Sequence, residues 1–501
     1  MNEPGCYRVP LDRYPGMNRF VLDWLAGDER FLPRAPAKPG GAPPPASAAL
    51  LGALIESNRR WGLDITKEVE RWASGKTFTI VAGQQVGFAG GPLYTFVKVA
   101  SLLKIKRDND SRGVPTTILF WLATEDHDFD EVAMLALPSR GGQQDLDWIR
   151  ANHPADWRKA VGTLPIPESL IEQLLVKLEM SRPKWLRPGI TFRDAFAELL
   201  VETFGQGFIV VDSLLPELRR AGAPLFAKIM SRWNDVQSAF AARSKELERA
   251  GYAPQIIPRQ DDTYTLLYRI DASGNRDSIQ KPESIDAPEM ISTSAITRPL
   301  LQDFVLRPDM FVGGPAEVAY YAQVAPLHRM LDVPFPRVAL RGHVLVAPRR
   351  VVRAIARYEI PPADVFKTAD ELSAAREPEG VAEVRAIAAD AERELQSYIE
   401  RIREIALPAD HSLTSSINRS IGHIEYHFRK LTERAIRGLA RKDKERFMAL
   451  RELVAALYPD RQVQDRVVAW LPYWSEHGEQ LVERVVSEVE PDSASFKIVG
   501  L

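Results

Sequence analysis

Two β-forming runs, Thr77 to Ala82 and Thr116 to Ala123, bracket a helical pattern that extends from Pro92 to about Arg107. Strand, helix and strand in that order make a βαβ unit, and its crossover helix brings the second strand back parallel to the first. A parallel sheet is therefore expected at the centre of the fold. Further runs at Gly207 to Asp212, Tyr252 to Pro258, Tyr264 to Ile270 and Phe335 to Leu340 extend it into an α/β domain with insertions. Helical stretches such as Phe192 to Phe204 and Leu214 to Ala250 separate them. The Pro-, Gly- and Ala-containing segment Arg34 to Ser47 reads as an extended connector from an N-terminal arm.

Beyond Tyr358 the pattern changes. Val381, Val384, Ala388, Ala391, Leu395, Tyr398, Ile402 and Ile405 step by three and four, which is the a/d seam of a coiled coil. Pro408 is expected to stop that helix and Ser412 to cap the next, in which Ile417, Ile421, Ile424, Phe428, Leu431, Ala435 and Gly438 repeat the spacing. The short connection predicts an antiparallel hairpin. Ile387 and Ile399 are apolar beyond what one seam requires, so the hairpin either satisfies itself or continues into a subunit interface. The expected division is residues 1–365 for the core with its arm and 366–501 for the helical domain with a closing segment.

Composition limits the function classes. The chain of 501 residues is 45% hydrophobic and 26% charged, enough to bury a large core, and its formal net charge of -2 gives no global attraction to nucleic acid or an anionic membrane. Cys6 is the only cysteine, which excludes an internal disulfide and a thiolate-rich zinc site and fits a reducing compartment. No apolar run approaches the roughly 20 residues of a membrane span, and the polar start does not read as a signal peptide. A cytoplasmic, globular protein without membrane or nucleic-acid partners is expected.

The chemistry concentrates at strand ends. The run Ile118 to Ala123 empties into Glu125, Asp126, His127, Asp128, Asp130 and Glu131, five carboxylates and a histidine at the place where open α/β sheets bind ligands. Acids so close together repel one another, so a cation, a basic substrate or a role in proton transfer is expected to compensate them. Asp126, His127 and Asp128 are the catalytic candidates, as a general base with its orienting carboxylate or as oxygen ligands of a hard metal ion. The preceding loop supplies Gly83, Gln84, Gln85, Gly90, Gly91, Pro92 and Tyr94, whose glycines and helix start suit an anion. It is neither a Walker loop nor the dinucleotide fingerprint, and a tight structural turn is the plain alternative. Gly313, Gly314 and Pro315 repeat the device, with Glu317 in the first turn and Tyr320 beyond it. Arg298, Arg337 and Arg341 are candidates for forked hydrogen bonds to carboxylates.

Taken together, Gly83-Gln84-Gln85, Gly91-Pro92-Leu93-Tyr94-Thr95 with Lys98, Glu125-Asp126-His127-Asp128-Phe129-Asp130-Glu131, Thr297-Arg298-Pro299-Leu300-Leu301-Gln302-Asp303 and Gly313-Gly314-Pro315-Ala316-Glu317 with Tyr320 resemble the BshC family of bacillithiol biosynthesis. Leu457-Tyr458-Pro459 and Arg466-Val467-Val468-Ala469-Trp470-Leu471-Pro472 look like that family's closing segment, so the resemblance runs nearly end to end. It implies a Rossmann-like, nucleotidyl-transferase-like parallel-sheet core with insertions, and an antiparallel coiled-coil domain that pairs subunits into a homodimer. It also implies ligation of L-cysteine through its carboxyl group to the amine of glucosaminyl-malate, with ATP as the expected activator and Mg as the metal to consider. Arg298, Gln302, Glu317 and Tyr320 then become substrate-binding candidates.

Class I synthetases stabilise adenylation with an HxGH signature, which the Gly83 to Tyr94 loop lacks, and there is no Lys-Met-Ser-Lys-Ser loop. Acyl-adenylate, acyl-phosphate and other routes stay open. Two competing readings remain: a metal-dependent hydrolase built on Glu125 to Glu131, and a non-catalytic nucleotide-binding scaffold whose coiled coil recruits a separate ligase.

Overall fold

A computed structural model of the chain describes residues 5–34, 46–129, 132, 136–137, 144–145, 159–258, 265–271, 273–374, 380–409 and 414–501. The strands that organise it are β1 (Cys6–Pro10), β2 (Phe78–Gln84), β3 (Thr116–Leu122), β4 (Phe208–Asp212), β5 (Leu267–Ile270), β6 (Arg276–Ser278), β7 (Ile291–Thr293), β8 (Met310–Gly313), β9 (Arg337–Leu340), β10 (Val344–Ala347) and β11 (Ser495–Gly500). The helices needed below are α1 (Leu93–Ser111), α2 (Phe192–Phe204), α3 (Arg298–Leu306), α4 (Pro315–Leu331), α5 (Val381–Ala409) and α6 (Thr414–Leu457).

The expected βαβ unit is β2, α1 and β3. Its strands pair in parallel from Phe78 against Thr116 to Gln84 against Leu122. All seven residues of β3 are buried, as a strand covered on both faces must be, and this explains its unbroken apolar run. The full sheet has the order β9-β8-β2-β3-β4, parallel throughout, so the chain runs outward from β2 in one direction and then in the other. This is a Rossmann-like doubly wound sheet. Beside it lie a three-stranded sheet, β1-β11-β10, and an antiparallel sheet, β6-β5-β7.

Three expectations fail for identifiable reasons. Tyr252 to Pro258 is not a strand: the amides of Gln255 and Ile256 donate to the side-chain Oε1 of buried Gln323, at 2.9 and 3.0 Å, in place of a ladder partner. The run expected at Tyr264 to Ile270, whose first residue lies outside the described residues, supplies β5 from Leu267, yet in the small antiparallel sheet and not the parallel one. Leu214 to Ala250 is broken into Pro216–Ala221, Ala223–Ser231 and Trp233–Arg249. The first break is at Gly222, where a Cβ would lie 2.4 Å from Leu301 Cδ1.

The chain divides into one compact unit of residues 1–347 and 462–501 and a second of residues 348–461. The boundary expected after residue 365 therefore falls inside the helical unit, and the closing segment packs with the sheets because β11 pairs with both β1 and β10. Within the helical unit α5 and α6 form the hairpin, with Pro408 in the last turn of α5; Ser412 lies outside the described residues, as do most of the Arg34 to Ser47 connector, Asp130 and Glu131. Val381 and Ala388 are buried, whereas Tyr398, Ile402, Ile405, Ile424 and Leu431 are each between 48% and 78% exposed. Ile399 proves buried and Ile387 exposed, so only the latter is an outward position. Among the described residues no helix is long and apolar enough to cross a membrane.

Candidate functional site

The point where strand order reverses, between β2 and β8, is where an open parallel sheet leaves room for a ligand. A crevice of about 690 Å³ opens there, lined at the carboxyl ends of four strands: Gly83 and Gln84 end β2 and Gln85 follows it, Asp126 and His127 follow β3, Gly314 and Pro315 follow β8, and Arg341 follows β9. The two Gly-Gly-Pro segments precede α1 and α4, so both helix N-termini come to one place, with Pro92 and Tyr94 on one wall and Ala316 and Glu317 on the other.

A buried ion pair joins the walls. Lys98 Nζ donates to Gly83 O at 2.7 Å, Gln84 Oε1 at 3.0 Å and Glu317 Oε2 at 2.6 Å, which uses its three protons. Burial holds the Lys98 ammonium below the usual lysine value, against the opposing pull of Glu317. Glu317 Oε2 also accepts the Gly314 amide at 2.6 Å. The positive end of α4 thus already meets a carboxylate, and Glu317 secures the loop-to-loop geometry.

The acidic cluster disperses. Glu125, 4% exposed, accepts from Ser292 Oγ at 2.6 Å, from the Thr293 hydroxyl at 2.6 Å and from the Thr293 amide at 3.1 Å, with Arg219 Nη2 at 3.4 Å. It clamps the end of β3 to β7. Asp126 Oδ2 accepts from Gln85 Nε2 at 2.7 Å, and its Oδ1 accepts the amides of His127 and Asp128 at 2.8 and 3.3 Å. His127 Nδ1 lies 2.7 Å from Arg276 Nη1, a donor, which assigns the lone pair to Nδ1 and the ring proton to Nε2. Of the three catalytic candidates, Asp126 and His127 line the crevice, and Arg276 occupies the Nδ1 side of the His127 ring. Asp128 is exposed and does not line the crevice. Among the described residues no three His, Cys, Asp or Glu side chains gather as metal ligands.

The remaining candidates divide. Arg298 and Tyr320 line the crevice and are hydrogen-bonded to each other, and Arg298 Nη1 reaches Gln302 Oε1 at 3.2 Å. Gln302 is fully buried, with its amide nitrogen near Asp303 and Tyr321, and it supports Arg298 from behind. Arg341 lines the wall and donates to Asp465 Oδ2 at 3.1 Å, while Tyr14 donates to the other oxygen of Asp465. Arg337 pairs with Asp492 at 2.8 Å and is not a lining residue. Neither are Gly90 and Gly91. Gly90 has φ +85° and a Cβ there would lie 2.5 Å from Trp470, whose indole N–H binds the Gly90 carbonyl at 2.9 Å, so this glycine serves packing. Tyr268, Arg276 and Arg466 also line the crevice. No sequence signal singles out Tyr268 and Arg276, each an isolated residue on an insertion, and Arg466 is marked only as part of the closing-segment motif, with no role at the site.

Comparison with known proteins bears on the whole chain. A model described as "Bacillithiol biosynthesis BshC, N-terminal Rossmann-like domain" matches residues 37–285 and 281–342, and one described as "Bacillithiol biosynthesis BshC, C-terminal coiled-coil domain" matches 344–501. A protein of Solibacter usitatus named "Putative cysteine ligase BshC" is 29% identical, covering 91% of this chain and 90% of that protein. Proteins of the same name from Koribacter versatilis and Symbiobacterium thermophilum are 28% and 27% identical, covering 96% and 94% of this chain and 97% and 92% of their own lengths. With both segments matched and the Rossmann-like sheet and helical hairpin in place, this chain belongs to the BshC family of bacillithiol biosynthesis.

Proposed function

We propose that this chain is a cysteine ligase that joins the carboxyl group of L-cysteine to the amine of glucosaminyl-malate in the crevice between β2 and β8. The observation that carries the reading is family membership over both segments, together with a crevice that offers both carboxylate and guanidinium groups at the sheet's reversal point. An amide C–N bond forms, the bond from the cysteine carboxyl carbon to an activating group breaks, and the amine gives up a proton. Asp126 is the residue suited to receive that proton, being half-buried at the crevice surface and oriented by Gln85 and two backbone amides. Gln85, Lys98 and Glu317 hold the two loops that frame it.

ATP is the proposed activator, and it would supply a phosphoryl or adenylyl leaving group on the cysteine carboxyl. Gly83, Gln84 and Tyr94, beside the first turn of α1, are suited to phosphate oxygens. A magnesium ion would enter with the nucleotide, and no protein ligand set is assigned to it. A cytoplasmic homodimer, paired through the exposed apolar residues of α5 and α6, belongs to the same reading.

The test is incubation of the purified protein with cysteine, glucosaminyl-malate and ATP, with mass detection of the amide product and of AMP and ADP. Product formation coupled to nucleotide cleavage is expected, and the nucleotide released separates adenylate from acyl-phosphate chemistry. Nucleotide binding without product would favour the scaffold reading.

A further inference from the structure

The ionic partners within the crevice do not balance. Lys98 is matched by Glu317, Arg341 by Asp465, and Glu125 by Arg219. Three lining arginines have no such match. Half-buried Arg276 donates to Ser292 Oγ at 2.9 Å, to the Thr293 carbonyl and to His127 Nδ1, and its guanidinium lies 3.9 Å from the Tyr268 ring centroid. Half-buried Arg298 has Tyr320 and Gln302 as hydrogen-bond partners. Arg466 extends past the Tyr14 ring at 5.8 Å. Every one of these partners is neutral, and among the described residues no carboxylate lies within ion-pair distance of any of the three. Asp126 is the crevice carboxylate left to oppose them.

Holding the partly desolvated cations of Arg276 and Arg298 against neutral oxygens is costly unless an anion arrives to complete the site, and exposed Arg466 adds a third cation to the same lining. Guanidinium groups are also the side chains that bind planar carboxylates through paired N–H donors. We infer that Arg276, Arg298 and Arg466 form a receptor for a ligand group bearing two carboxylates. Resting on the ligase reading, this group is the malyl end of glucosaminyl-malate. The three residues come from β6, from the first turn of α3 and from the closing segment. The sheet insertion and the C-terminal return thereby act together, holding the acceptor substrate by its acid end while its amine faces Asp126.

The test is calorimetric titration of the full-length protein and of Arg276→Gln, Arg298→Gln and Arg466→Gln with four ligands: glucosaminyl-malate, methyl glucosaminide, L-malate and inorganic pyrophosphate. Each variant should bind glucosaminyl-malate roughly tenfold or more weakly, since a charged hydrogen bond is lost, with methyl glucosaminide affinity unchanged. Arg466 is exposed, so Arg466→Gln places little of the fold at risk, and thermal unfolding of ligand-free Arg276→Gln and Arg298→Gln checks that both remain folded. Equal weakening for methyl glucosaminide, or variants within twofold of wild type on glucosaminyl-malate, overturns the inference. Loss confined to pyrophosphate overturns it as well and assigns the arginines to phosphate. Arginine-dependent L-malate binding in a protein that makes no amide product would keep the receptor and remove the ligase reading. Normal product formation by all three variants would do the reverse.

Discussion

The sheet unit and the helical hairpin treat apolar residues in opposite ways. Each residue of β3 is buried, and Trp121 at its carboxyl end is completely so. In the hairpin, seam residues as large as Tyr398, Ile405 and Leu431 stay at least 58% exposed although their spacing is as regular. Periodicity thus identifies the side of an element meant for burial without saying whether the same chain covers it. The sheet is completed by its own insertions and by the returning C-terminus. The hairpin has more apolar surface than two helices cover, as a second copy would require.

The comparison is broken most forcefully inside the sheet unit. Glu317→Gln should cost about 3 kcal/mol, because it leaves the buried Lys98 ammonium without its counter-charge. Denaturant unfolding measures this, and a change below about 1 kcal/mol, the range of exposed pairs, would mean the pair is not holding the loops. In the hairpin the contrast should be complete: Ile387→Glu with Ile405→Glu, both outward, should leave helicity unchanged while sedimentation shifts from dimer to monomer. A wild-type monomer at micromolar concentration would remove the partner from the account.

A smaller effect separates the units by pH. Burial, with Arg341 and Arg466 nearby, holds His343 well below the usual histidine value, so the folded chain keeps it neutral while the unfolded chain takes up a proton below about pH 6.5. Its contribution to stability is full above that pH and declines on acidification by up to about 1.4 kcal/mol per unit until the folded group titrates. His343→Asn should lack this part of the slope, and parallel stability curves from pH 7.5 to 5.5 would contradict the assignment. Smallest of all, Cys6 should resist alkylation at pH 7.5. Burial first, then the hydrogen bond to Glu488, raises its thiol to about 11, so the thiol stays protonated and unreactive at that pH. Rapid modification of the folded protein by iodoacetamide would refute this.

What could be read from the residues follows the same division. β2, α1 and β3 were legible because continuous apolar runs and a 3.6-residue pattern alternate at βαβ lengths. β8 carries no clear strand signal, since Met310 to Gly313 spans only four residues directly before a glycine loop. Tyr252 to Pro258 misled because Gln323, far away in sequence, satisfies its amides. The glycine loops and the acidic cluster mark strand ends that the structure brings to one crevice. Their internal assignment was not readable: Glu125 is committed to Ser292 and Thr293, and His127 accepts from Arg276, contacts made by insertions with no motif of their own.

The central claim is that the crevice beyond β2 and β3 performs the ligation, with Asp126 receiving the amine proton. Steady-state turnover of Asp126→Asn with cysteine, glucosaminyl-malate and ATP tests it most directly, since the substitution keeps the side chain's shape and removes its basicity. Amide formation should fall by roughly 100-fold or more at unchanged thermal unfolding. Turnover equal to wild type would contradict the account and move the reaction elsewhere.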